Sequence, residues 1–162
     1  MTISNIMQKM IEYSNGNLHD INHFIKVWTY AKNIAEIEGV KKDTLYILEF
    51  AAITHDIACS LCREKYGNTN GKYQEIEWES LVRDFLKDTD LSQEQIERIA
   101  YLIAHHHTFK DIDGIDYQIL IEADYIVNAE ESSYSKENIR NFSEKFFKTT
   151  TGKNLLKSIY GL

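Results

Sequence analysis

Proline does not occur anywhere in the 162 residues, cysteine occurs twice, and the 18 lysines and arginines are outnumbered by 25 aspartates and glutamates. Each shortage excludes something. Proline punctuates loops and element ends, so a chain without it fits long helices joined by tight turns built on Gly, Asn and Asp. Cys59 and Cys62 make one CxxC pair, which cannot form a four-cysteine zinc site, and no thioredoxin-like strand pattern surrounds it. The pair reads as two reduced thiols near a helix end. No apolar run approaches the ~20 residues that span a bilayer. The opening stretch MTISNIMQKMIEY carries polar residues throughout and lacks the apolar core of a signal peptide, so the cytoplasm is the expected address. A net charge of −7 argues against a broad nucleic-acid surface, which needs clustered Lys and Arg. It does not argue against a small phosphorylated substrate, because a bound divalent cation can supply the local positive charge.

What is present is apolar enough to fold, with 43% hydrophobic residues over a length that suits one domain. The hydrophobic period is helical almost throughout. Ile3, Ile6, Met7, Met10 and Ile11 mark a first amphipathic helix that stops near Ser14-Asn15-Gly16. A second runs from about Leu18 to Glu38, with His23, Val27, Tyr30 and Ile34 on one face and Gly39 as its C-cap. Asp43 is a candidate cap for a third, which carries Leu48, Ala51, Ala52 and His55 and fades around Cys59 to Tyr66, before a loop from Gly67 to Gly71. A fourth spans roughly Lys72 to Lys87. Ser92 and Gln95 form a capping-box pattern opening a fifth, which runs into His105-His106-His107. A sixth extends from about Asp116 to Glu131, and one or two shorter helices follow Ser135. Neither repeat nor linker divides the chain. The expectation is an all-α, single-domain helical bundle of six to eight helices over residues 1–162, with its core at about 18–130.

Some polar residues sit where apolar ones belong. His23 lies on the apolar stripe of the second helix, where a histidine needs only one hydrogen-bond partner to be a plain core residue. His55-Asp56 is harder to explain so, because it ends the run Phe50-Ala51-Ala52-Ile53. Asp124 stands among Leu120, Ile121, Ala123, Ile126 and Val127. A buried carboxylate without a partner costs several kcal/mol, so it is paired, hydrogen-bonded or bound to metal. Neighbouring inward positions offer no basic partner except Lys26. Two carboxylates and two imidazoles sharing a divalent cation solve the problem jointly. Mixed His and carboxylate ligands suit Mn, Fe, Co, Ni, Zn or Mg with open positions, rather than a closed structural site.

These residues resemble the HD superfamily of metal-dependent phosphohydrolases. His23-Phe24-Ile25-Lys26-Val27 is similar to that superfamily's H-x-x-[RK]-V opening, Ala51-Ala52-Ile53-Thr54-His55-Asp56 to its run into HD, and Glu122-Ala123-Asp124-Tyr125-Ile126 to its closing segment. The resemblance covers about residues 18 to 130. It implies a helical metal-dependent hydrolase of phosphate esters, with His23, His55, Asp56 and Asp124 as metal ligands and a small, nucleotide-like phosphorylated substrate. Some members place ligands for a second metal or for substrate phosphate after an apolar helix such as the fifth. This makes His105 and His106 candidates, ahead of His107, which lies nearest the loop; the plain alternative is a helix end whose dipole favours histidine. Successive residues step about 100°, so the three cannot all face one way.

Departures from the superfamily's pattern bear on the number of metals. The fourth helix has no histidine and offers Glu75, Glu77 and Glu79 instead, which favours one ion. The Gly-Tyr-Pro signature of the cyclic-dinucleotide subgroup is absent near Asp113 to Tyr117, and Cys59 stands where an HD-x-x-E glutamate would. In the implied chemistry Asp56 is both ligand and the group that takes or orients a water proton, His105 or His106 protonates the leaving oxygen, and Lys26 meets the phosphate unless it is simply solvated. Two other classes fit the same residues: a regulatory module that binds a nucleotide or metabolite without turnover, and a di-iron oxygenase. Oligomeric state is not legible.

Overall fold

The structure, a computed structural model, describes residues 2–59, 67 and 71–162, the side chains at 71–77 and 79 excepted. Cys62 and the side chains of Glu75, Glu77 and Glu79 lie outside the described residues. Eight helices are described, and among the described residues there is no strand. They are α1 (Ile3–Tyr13), α2 (Leu18–Ile37), α3 (Lys42–Thr54), α4 (Gly71–Leu86), α5 (Gln93–His105), α6 (Ile115–Glu131), α7 (Lys136–Phe146) and α8 (Thr150–Tyr160). The all-α expectation holds.

Caps account for most of the boundaries. Thr2 opens α1 and Ser92 opens α5 with reciprocal capping boxes to Asn5 and Gln95. Asn17, Ser135 and Thr149 each accept a backbone N–H from the first turn of α2, α7 and α8. After α2 the chain turns at Gly39 (φ +75°), whose left-handed backbone lets Val40 N–H reach back to Ala35 O at 2.9 Å. Two local expectations fail. Asp43 does not cap α3; Lys41 takes that position without a side-chain bond, and Asp43 sits in the first turn, where its charge suits the helix dipole. Gly71 opens α4 rather than closing a loop.

The buried helix α6 organises the rest. From Asp116 to Ala129 every residue except Asn128 is buried, so α6 is enclosed on all sides, as a helix apolar around its circumference must be. It packs on α2, α3, α5 and α8, and α2 also packs along α3. One apolar cluster runs from Ile6 to Leu156 and includes Phe24, Val27, Phe50, Ile53, Ile99, Leu102, Leu120 and Ile126. Each fully buried side chain of that size contributes about 1.5–3 kcal/mol. No described helix is long and apolar enough to cross a membrane.

Polar pins fix α6 in register. At its start Arg98 of α5 forks onto Asp113 and Asp116, at 2.7–3.0 Å. A side chain on Gly114 would stand 2.8 Å from Asp116 Oδ1 and 2.9 Å from Arg98 Nη2, so this pairing needs glycine there. Midway, the fully buried Glu122 accepts from Gln118 Nε2 (2.6 Å), Lys148 N (2.9 Å), Thr149 N (3.1 Å) and Thr149 Oγ1 (2.6 Å). It thereby ties α6 to the start of α8. Tyr117 donates its hydroxyl to His105 O and Thr108 O, which anchors the end of α5 beside α6.

Candidate metal centre

Three helices deliver four polar side chains to one point. His23 comes from the buried stripe of α2, Asp124 from the middle of α6, and His55-Asp56 from the end of α3. His55 caps α3, and the chain turns at once, with Ile57 N bonding Thr54 O and Cys59 N bonding Asp56 O. That turn satisfies the local backbone and leaves both side chains for the interior.

The donor atoms crowd together. His23 Nε2 lies 3.1 Å from His55 Nε2, 3.1 Å from Asp124 Oδ1 and 3.2 Å from Asp56 Oδ2; His55 Nε2 lies 3.3 Å from each of the same two carboxylate oxygens. Ligands held about 2.1 Å from a cation, at right angles, are separated by about 3 Å.

The hydrogen bonds at the far side of each ring define what faces inward. His55 Nδ1 is 2.7 Å from Ala52 O, and His106 Nδ1 is 2.6 Å from Ile103 O; a carbonyl only accepts, so each Nδ1 carries the proton. His23 Nδ1 donates in the same way to Glu131 Oε2 at 2.9 Å. All three imidazoles therefore turn Nε2 toward the cluster. Neutral rings would set lone pair against lone pair at 3.1 Å, an arrangement that needs a proton or a cation between them. His106 Nε2, buried 3.4 Å from Asp56 Oδ1, has no hydrogen-bond partner among the described residues. The donor set thus fits a divalent cation, which His23, His55, Asp56 and Asp124 could hold, and His106 and His107 bring further possible ligand atoms beside the carboxylates.

The electrostatics agree. Burial disfavours a charged His23, but hydrogen bonds to Asp124 and Asp56 outweigh it and hold the imidazole up, to about 11. His55 is held up to about 10 against its burial by the Asp56 charge and by Asp124. Burial works against both carboxylates as well, yet His55, His106 and His23 drive Asp56 well below the usual range, and His23 and His55 do the same to Asp124. The cluster demands two positive charges.

Of the residues singled out from sequence, His23, His55, Asp56, Asp124 and His106 come together. His105 does not. Its ring stacks on Tyr101 (centroids 4.1 Å apart), donates to Tyr101 O and lines a separate pocket with Trp78 and Lys110. His107 lines the cleft above the cluster with His19, Asp20, Cys59 and Asn128. Lys26 is engaged by Glu131 at 3.0 Å and Glu130 at 3.6 Å. Glu131, which holds both His23 and Lys26, was not among the candidates. The signal was present: Glu131 follows Asp124 by seven residues, two turns along the same face.

Known proteins give this arrangement a family. The model of the HD domain family matches residues 20–138, a span containing His23, His55, Asp56 and Asp124. A crystal structure of a predicted HD superfamily hydrolase from an uncultured Thermotogales bacterium has the same fold, with a TM-score of 0.66 and 21% identity over 98% of this chain and 83% of that one. No curated protein matches. With a family match over most of its length, and with His23, His55-Asp56 and Asp124 gathered as the motif requires, the chain belongs to the HD domain family.

Proposed function

We propose that this protein is a metal-dependent phosphohydrolase that cleaves a phosphate ester of a nucleotide or similar small phosphorylated metabolite. The observation that carries the reading is the trio of Nε2 atoms turned onto the Asp56 and Asp124 carboxylates, with His106 Nε2 lacking a hydrogen bond among the described residues. A bound divalent cation supplies Lewis acidity toward a phosphoryl oxygen and acidifies water near neutral pH.

The chain's own groups do the rest. Asp56 offers two oxygens on different sides: Oδ2 joins His23 and His55, while Oδ1 faces His106. It is therefore suited both to hold the cation and to take or orient a water proton. His106, buried 3.4 Å from Asp56 Oδ1, is the candidate for proton transfer to the leaving oxygen; His107 lines the cleft but is held down to about 4 by His106 and by burial, so it is unprotonated near neutral pH. His105 is turned away from that task, and Lys26, bound to Glu131, supports His23 more directly than it reaches a phosphate.

A second ion is favoured by one specific feature. The groups His55-Asp56-His106 and His106-His107-Asp124 each bring ligand atoms within 4.8 Å, beside the first set and sharing its carboxylates. These residues would hold the second ion, which would help stabilise the attacking and leaving oxygens together. Metal analysis of protein purified without chelator, followed by a phosphate-release screen, tests the main reading. Loss of release in Asp56→Ala with helical content retained is the expected result; full activity and full metal occupancy in that variant would overturn it.

A further inference from the structure

The cleft does not end at the metal ligands. Asp124, His107 and Asn128 line a polar pocket of about 270 Å³ and also a neighbouring one of about 430 Å³, in the size range of small-molecule sites. The second is enclosed by Phe109 from the loop after α5, Tyr125 of α6, Tyr134 of the α6–α7 turn and Phe142 of α7. The rings brace one another: Tyr125 lies parallel on Phe142 at 3.8 Å, Phe109 meets Phe142 edge-on at 5.2 Å, and Tyr134 stands 5.6 Å from Tyr125. Two of them still present 38% (Phe109) and 37% (Tyr134) of their surface to water.

Beyond Asp124 and His107 at its mouth toward the neighbouring pocket, the polar side chains are few. Asn128 and Asn138 are the two amides of the lining. Asn138 Oδ1 accepts the Tyr125 hydroxyl at 2.6 Å, which orients the side chain and leaves its amide nitrogen as a donor. Among the described residues no lysine or arginine lines this half. A polyol needs many donors and acceptors around its circumference. A planar ring needs faces of its own kind and one or two groups at its edge.

We propose that this aromatic pocket is the leaving-group subsite, taking a planar heteroaromatic ring against Phe109, Tyr125, Tyr134 and Phe142, with the amides of Asn128 and Asn138 at the ring's edge. The proposal rests on the phosphohydrolase reading for the phosphate's position beside Asp124. Stacking a ring on an aromatic side chain changes affinity by about tenfold or more.

The test uses matched ligands on the metal-loaded full chain. Adenosine and ribose, which differ by the ring alone, are compared for binding by calorimetry, and adenosine 5′-monophosphate and ribose 5-phosphate for phosphate release. Adenosine is expected to bind at least about tenfold more tightly than ribose, and Phe109→Ala and Asn138→Ala are each expected to shrink that ratio by about tenfold. Phe109 is substantially exposed, so its replacement leaves the core intact. Equal binding of adenosine and ribose, or a ratio unchanged in both variants, overturns the ring subsite whatever the hydrolysis result. Absence of phosphate release with the ring preference intact overturns the hydrolase reading and leaves the ring subsite standing.

Discussion

Replacing Glu131 by glutamine should weaken metal binding. The Glu131 carboxylate accepts from His23 Nδ1 at 2.9 Å and from Lys26 at 3.0 Å, so it fixes the His23 ring and the proton position that leaves Nε2 facing Asp124. Glutamine keeps the size but removes the charge that strengthens Nε2 as a ligand. Loss of such an outer-shell partner typically costs 10–100-fold in metal affinity, about 1.4–2.7 kcal/mol. The metal-free fold should lose some stability too, because there the carboxylate faces a protonated His23 at 2.9 Å; two smaller effects offset one another. Glu131 is the last residue of α6, where a negative charge opposes the helix dipole by about 0.3–1 kcal/mol. Its half-exposed pairing with Lys26 contributes about 0–1 kcal/mol in the other direction. A competition titration against a chelator measures the first quantity, and thermal unfolding of chelated protein the second. A variant that binds metal within twofold of wild type refutes the positioning role.

Two further perturbations separate ligands from neighbours. His106→Ala should lower metal stoichiometry from about two ions to about one if the second ligand group is filled, whereas His105→Ala should leave it unchanged, because His105 is stacked on Tyr101; elemental analysis of both variants decides. Glu122→Ala should destabilise by roughly 3–5 kcal/mol, since it removes the acceptor of four hydrogen bonds, three of them buried, and Gly152→Ala should also destabilise, because its added carbon would clash with Glu122 Oε1. Denaturant melts check both, and a Glu122→Ala loss under 1 kcal/mol would contradict the reading of that carboxylate as the pin between α6 and α8.

Much of this was legible before any coordinates. Helix identity followed from the hydrophobic period, and the Ser92–Gln95 capping box was legible because both partners lie within one turn, whereas Asp43, a residue of the right type, sits inside the first turn of α3 instead of capping it. Asp124 announced itself by being acidic within an apolar helix. The histidine run resisted because its geometry depends on where α5 stops. The helix ends at His105 and His106 is its cap, so the 100° steps send His105 outward and bring His106 in, and no local signal marks that stop within three identical residues. Glu122 shared its segment with Asp124, yet its role depends on Lys148 and Thr149, whose approach is a matter of tertiary packing.

Metal uptake should release protons, and their number follows from the charge balance of the cluster. Without metal, the demands of Asp56 and Asp124 hold His23 near 11 and His55 near 10, so at pH 7.5 both imidazoles are protonated and two positive charges face two carboxylates. A divalent cation needs both Nε2 lone pairs, so it enters with the same charge while two protons leave. Affinity should therefore rise with pH, by up to about a hundredfold per unit between pH 7.5 and 9. Stability follows the same signs. The raised histidines stabilise the metal-free fold fully below about pH 6.5, and that contribution is lost as pH climbs through 10 to 11; the lowered carboxylates contribute above about pH 3.8, and that part is lost on acidification. Metal-loaded protein has no such alkaline loss, because its imidazoles are already unprotonated at Nε2. Calorimetric titration with metal in buffers of different ionisation enthalpy counts the protons directly. A count near two is expected; a count near zero at pH 7.5 would mean the imidazoles are neutral before metal arrives, and the paired-charge account of the empty cluster would fall.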